Sequence, residues 1–215
     1  MNNVRFGSIK SYTDLGLMLT DVDIATPEPR RVLVDVPGRD GSLDLTSALF
    51  PKIKYKNRTI KLEFARADYG RRWISLFSEI VRAIHGKQLQ VIIEPDTGYY
   101  WDAFCVVDTA KNDRNKGIVN VTLDAYPYKY KVAETSVNVL AAYAGTSVIL
   151  TNSGMPVKPK FLASSAVTIT YDGKTYNLPA NTETIFDDIV LTEFTTELIV
   201  TGTGTVTITY REGIL

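Results

Sequence analysis

One histidine and one cysteine in 215 residues leave little inventory for chemistry. A Ser-His-Asp or Cys-His catalyst has only His85 to build on, and a closed zinc site needs more nitrogen and sulfur ligands than one of each. The lone Cys105 excludes an internal disulfide, and its run Ala103-Phe104-Cys105-Val106-Val107 reads as a packed thiol suited to a reducing cytoplasm. Apolar stretches fall far short of the roughly 20 residues that a membrane helix needs. The opening segment carries Arg5, Lys10, Asp14, Asp21 and Asp23 where a secretory signal has an apolar core, so the expectation is an untargeted soluble product with no membrane insertion. Net charge is zero, with 24 basic and 24 acidic residues, which argues against the broad positive field of a dedicated nucleic-acid binder. A phosphate-binding glycine loop is also missing, because the surroundings of Gly98, Gly117 and Gly173 all fit turns.

The remaining chemical candidates have plainer explanations. His85 ends an apolar helical pattern, where an imidazole interacts favourably with the terminal carbonyls. Asp21-x-Asp23 and Asp187-Asp188 lack the glycine-punctuated spacing of a calcium loop and read as solvated turn acids. Glycoside hydrolysis needs two carboxylates at a set separation, and no pair stands out. The sequence therefore assigns no catalytic residue, no cofactor and no metal ligand.

What is present is strand pattern. Val32, Val34 and Val36 alternate with Leu33 and Asp35, Pro37-Gly38 breaks the run, and Gly41-Ser42-Leu43-Asp44-Leu45 resumes it, as strand, compact turn, strand. Residues 4–66 hold several such short runs, separated at Thr26-Pro27-Glu28-Pro29, Pro37-Gly38 and Phe50-Pro51. Lys52, Lys54 and Lys56 alternate there with Ile53 and Tyr55 as on a strand with one wet face. Lysines so placed either shield an exposed edge or mark the side offered to a neighbour.

One helix is predicted over about 69–85, with Trp73, Leu76, Phe77, Ile80, Val81 and Ile84 at spacings of three and four. Asp68 is placed to cap its start and Gly86 to end it in the left-handed conformation, while Arg71 and Arg72 need solvent or an acidic partner. Strands follow over 89–93, 99–107 and 118–125, with Lys111–Gly117 as a turn of mixed charge.

From about residue 135 the composition changes, with 16 of the 24 threonines lying beyond that point. Residues 1–134 carry 20 basic and 17 acidic side chains, and residues 135–215 carry 4 and 7. The division expected is an N-terminal β domain with one helix over 1–132 and an all-β domain over 133–215. In the latter, Asp172-Gly173 joins two alternating strands as a type I′ hairpin requires. A second alternating pair, 197–201 and 205–210, is joined through Gly202-Thr203-Gly204. The fold class is mainly β, two β-sandwich-like domains, the first with one helix.

Four segments in order carry a resemblance: Pro37-Gly38-Arg39-Asp40-Gly41-Ser42-Leu43-Asp44-Leu45; the helix that ends in Ile84-His85-Gly86-Lys87; Glu94-Pro95-Asp96-Thr97-Gly98-Tyr99-Tyr100-Trp101; and Ala125-Tyr126-Pro127-Tyr128-Lys129-Tyr130. Together they resemble the amino-terminal half of the phage distal tail protein family. The resemblance implies a galectin-like second domain and a virion structural protein of a phage or prophage, a hexameric ring at the distal end of the tail. Its implied partners are further copies of itself, the tail tube protein, the tail tip or baseplate hub, and receptor-binding proteins. DNA would pass the lumen without sequence readout, and no enzyme activity is implied.

The ring interface is expected on the first-domain hairpin and the segment after it, at Val34, Val36, Arg39, Asp40, Ile53 and Tyr55, where alternating residues offer a face away from the helix. A rival reading is a lectin-like module that binds host-surface carbohydrate, with Tyr171 and Tyr176 as stacking platforms. Trp73 and Trp101 both lie in the first region, and the second lacks the basic and histidine residues of galectin sugar-reading strands, which weighs against it.

Overall fold

Strict alternation over Arg58–Arg66, with every second residue buried, makes this segment a strand whose one face belongs to the core. It is the sixth strand in a computed structural model that describes residues 3–50, 52–113 and 116–215. The chain divides into two compact units, the first ending at Lys129 and the second starting at Tyr130. The fold is mainly β, and the strand pairs described below are antiparallel. No helix among the described residues is long and apolar enough to cross a membrane.

In the first unit the elements are β1 (Val4–Phe6), β2 (Ile9–Lys10), β3 (Leu17–Ile24), β4 (Leu33–Val34), β5 (Leu43–Asp44), α1 (Thr46–Leu49), β6 (Arg58–Arg66), α2 (Trp73–Ile84), β7 (Lys87–Ile93), β8 (Tyr99–Asp113) and β9 (Lys116–Ala125), and β10 (Lys129–Lys131) starts on the unit's last residue. The sheet runs β2-β1-β7-β8-β9-β6-β3, and β4 pairs only with β5. Leu76, Ile80 and Ile84 form the fully buried stripe of α2 and share one core with Ile60, Leu62 and Phe64 of β6 and Ala103 and Cys105 of β8. Each such side chain contributes about 2 kcal/mol by leaving water. Cys105 is fully buried, and desolvation pushes its thiol up to about 12, so it is a packing residue.

The helix begins later than its periodicity predicts. Asp68 does not cap it: its carboxylate accepts the Gly70 N–H at 2.9 Å and pairs with Arg71 at 3.0 Å, so Tyr69 and Gly70 are used in a turn and Arg72 takes the N-cap position without a side-chain cap bond. Arg71 also meets Glu79 at 2.9 Å, the acidic partner it required. The far end agrees with expectation, with Gly86 at φ +72. His85 differs from its expected role. Its Nδ1 accepts the Val107 N–H at 3.0 Å, where β8 bulges against β9, and Lys87 serves the helix carbonyls of Arg82 and Ala83 at 2.8 and 2.9 Å.

Three other readings need correction or lie apart. Lys52–Lys56 is not a strand but an extended segment held to Glu28–Arg30 by isolated bonds, Arg30 N–H to the Lys54 carbonyl at 2.7 Å and Lys56 N–H to the Glu28 carbonyl at 2.8 Å. The short helix α1 was not expected, and forms where Thr46 anchors a turn. In the Lys111–Gly117 turn and the Phe50-Pro51 break, Arg114, Asn115 and Pro51 lie outside the described residues, while strand pairing extends to Asp113 and resumes at Lys116.

The second unit contains β11 (Thr135–Ala141), β12 (Thr146–Asn152), β13 (Lys160–Ala163), β14 (Val167–Tyr171), β15 (Lys174–Leu178), β16 (Thr184–Ile185), β17 (Phe194–Gly202), β18 (Gly204–Tyr210) and β19 (Gly213–Ile214). Two four-stranded sheets, β11-β18-β13-β16 and β12-β17-β14-β15, enclose a core that includes Phe161, Val206 and Ile208 from one and Leu150, Ile169 and Leu198 from the other. The Asp172-Gly173 hairpin forms as predicted, both residues at positive φ. The alternating segments on either side of Gly202-Thr203-Gly204 do not pair with each other. They enter opposite sheets, and the chain crosses at Gly202, where a Cβ would sit 3.0 Å from the Val167 side chain. Periodicity marks both as half-buried strands but does not say which sheet each joins.

Candidate interaction surface

Between β3 and β6, which pair directly, the chain makes an excursion in which none of the described residues from Ala25 to Asn57 is buried. It has internal order without a core. Leu33 pairs with Asp44 and Val34 with Leu43, the Leu45 N–H reaches the Val32 carbonyl at 2.9 Å, and the Val32 N–H reaches the Thr46 hydroxyl at 2.8 Å. Arg31 donates to Asp44 Oδ2 through Nη2 at 2.8 Å and Nε at 3.2 Å. The Thr46 hydroxyl, then Arg31, then the Thr46 N–H hold the Asp44 carboxyl down to about 2.

The expected interface residues fall into two groups on this excursion. Val34 and Val36 are about two-fifths exposed, and Arg39 and Asp40 lie in the exposed tip between Gly38 and Gly41, both glycines at positive φ. Arg39 N–H bonds the Val36 carbonyl at 3.2 Å and so closes that turn. Ile53 is 58% exposed on the returning segment, while Tyr55 is half-buried and meets the Tyr128 ring edge-on at 6.2 Å. All six expected residues therefore sit on an excursion with no fully buried residue among those described, and exposed Leu33 and Leu49 join them. Sequence reading missed those two, and with them a cleft of about 620 Å³ lined by Pro29, Arg30, Arg31, Val32, Phe50 and Lys56. The signal was the basic pair after the Pro-Glu-Pro break, set against the lysines of 52–56.

On the sheet itself, Asp21 and Asp23 are strand residues of β3 and not turn acids. They share a groove of about 330 Å³ with Lys61, Glu63, Asp108, Asn120 and Thr122. Among the described residues no group of three or more His, Cys, Asp or Glu is gathered as a metal site. Asp187 and Asp188 pair with Lys158 at 2.6 Å and Lys174 at 3.3 Å.

Tyr171 and Tyr176 are partly buried and pack against the second core. Tyr176 lies 5.1 Å from the Phe186 ring and 3.3 Å through its hydroxyl from Asp188; the Tyr171 hydroxyl reaches the Val190 carbonyl at 3.5 Å. Both side chains are thus packed and hydrogen-bonded within the second unit.

No known family model matches this sequence, and no curated protein matches it. A designed double-stranded β-helix overlaps 39% of the chain at a TM-score of 0.26, too low to carry an argument. Against that, the crystal structure of the Dit protein (gp 19.1) of SPP1, described as a paradigm of the hub adsorption apparatus in phages that infect Gram-positive bacteria, superposes with a TM-score of 0.73 and 14% identity, covering 100% of both chains. From its first strand to its last, this chain has the fold of that Dit protein.

Proposed function

We propose that this chain is a structural subunit of a phage tail, a distal tail protein whose copies close into a hexameric ring between the tail tube and the tip or baseplate proteins. The observation that carries this reading is the superposition over the full length of both chains, which spans both units and not a common sandwich alone. The uncovered excursion supports it physically. An excursion with exposed Leu33, Val36, Leu49 and Ile53 suits a head-to-tail contact, and such contacts close into rings when the rotation per copy permits. In this reading Val34, Val36, Arg39, Asp40, Ile53 and Tyr55 belong to the contact. The second unit, galectin-like in this family, serves as a docking surface toward tip or receptor-binding proteins, and the protein resides at the distal end of the virion tail.

The reading assigns no catalysis. The lectin-like alternative gains nothing from Tyr171 and Tyr176, whose hydroxyls are bonded within the unit. Light scattering and negative-stain micrographs of the purified protein test the proposal: annular particles of six copies are expected, and a strict monomer at high concentration overturns it.

A further inference from the structure

Two surfaces of the first unit are opposite in charge. Arg30, Arg31 and Lys56 of the excursion line one cleft, and exposed Lys54 lies beside it, its carbonyl accepting the Arg30 N–H at 2.7 Å. Arg31 and Lys56 are neutralised by Asp44 and Glu28, but neither Arg30 nor Lys54 has a side-chain partner among the described residues. The outer face of the sheet carries the groove with Asp21, Asp23, Glu63 and Asp108 against a single cation, Lys61. Glu63 and Asp108 accept only the hydroxyls of Thr20 and Thr122, and Asp21 and Asp23 have no partner among the described residues. Each surface therefore holds uncompensated charge of one sign, and the basic one sits on the excursion that has no core of its own.

Resting on the ring reading, we propose that the basic cleft of one copy docks into the acidic groove of the next. The occupant of the groove is thus a second copy of this chain, and the contact joins two different surfaces. A self-complementary dimer uses the same patch twice, whereas this pairing propagates head to tail and closes only as a ring. Electrostatic complementarity fixes which surfaces meet and their register.

Charge reversal tests it. An R30E/K54E variant has an acidic cleft facing an acidic groove, and a D21K/D108K variant has a basic cleft facing a basic groove; the substituted residues are exposed, and circular dichroism checks that both variants fold. Each alone is expected to require at least about tenfold higher concentration to assemble than the parent protein. Mixed in equal amounts, the two variants present opposite charges at every contact of an alternating ring, so assembly returns with an even number of copies. Failure of the mixture to assemble, or unchanged assembly of either variant alone, overturns the pairing even where the parent forms rings; a monomeric parent overturns the ring reading instead. If the cleft instead retains duplex DNA, and R30E/K54E removes that retention without affecting ring assembly, the pairing is likewise overturned.

Discussion

At Gly117 the constraint is space. A Cβ built there falls 2.2 Å from Cζ3 of Trp73, the first residue of α2, so the helix start and β9 approach as closely as they do because position 117 has no side chain. Gly117→Ala must displace the indole, and the expected cost is about 2 kcal/mol, read as a lowered denaturation midpoint at unchanged slope. The sequence marked Gly117 only as the end of a turn, because a steric requirement set by a residue 44 positions earlier leaves no local trace. Cys105 was the opposite case: its apolar neighbours in sequence are also its environment in space, and its buried thiol followed directly. Glu212 again depended on distant residues. Burial raises its carboxyl, but bonds from Lys131 at 2.7 Å, Ser153 and Thr135 at 2.7 Å outweigh this and lower it, tying both ends of the second unit's chain together.

Among the elements, those with strong periodicity were legible and those held by single side chains were not. Helix α2 and strand β6 follow from spacing alone, since Leu76, Ile80 and Ile84 repeat every four residues and β6 alternates without a break. The β4–β5 hairpin was visible from Pro37-Gly38, but its strands are two residues each, and what stabilises them is the Asp44 cluster. That cluster has a pH signature. Asp44 has a carboxyl of about 2 when folded, against 3.8 for the free side chain, so its contribution is complete above 3.8 and is lost as pH falls through about 2. The Thr46 amide resonance is expected to titrate with a midpoint near pH 2, and Asp44→Asn removes the transition; a midpoint near 4 would show that the clamp does not hold in solution. Strands β17 and β18 depend on more than their local pattern. Their faces could be read from alternation, but their partners depend on which sheet closes over which, a property of the whole unit.

For the molecule as a whole, the excursion is the segment least protected by packing. Limited trypsin digestion is expected to cut first at Arg30, Arg39, Lys52 or Lys54, leaving the two cores intact, and those cuts should slow markedly under conditions where rings form. Early cleavage inside β6 or β17 would contradict this. The mainly-β class was legible because both cores are built on alternation; of the candidate surface, the hairpin was visible as a pattern, while the gathering of Arg30, Arg31 and Lys56 in one cleft and of Asp21 and Asp108 in one groove depends on which segments pair. Finally, both tryptophans, Trp73 and Trp101, belong to the first unit, and the Arg58 guanidinium lies 4.8 Å from the Trp101 ring centroid. Indole emission during a thermal melt therefore registers one half of the polypeptide only, while far-ultraviolet dichroism sums over both, so that any gap between the two curves dissects the stability of each half without cutting the chain.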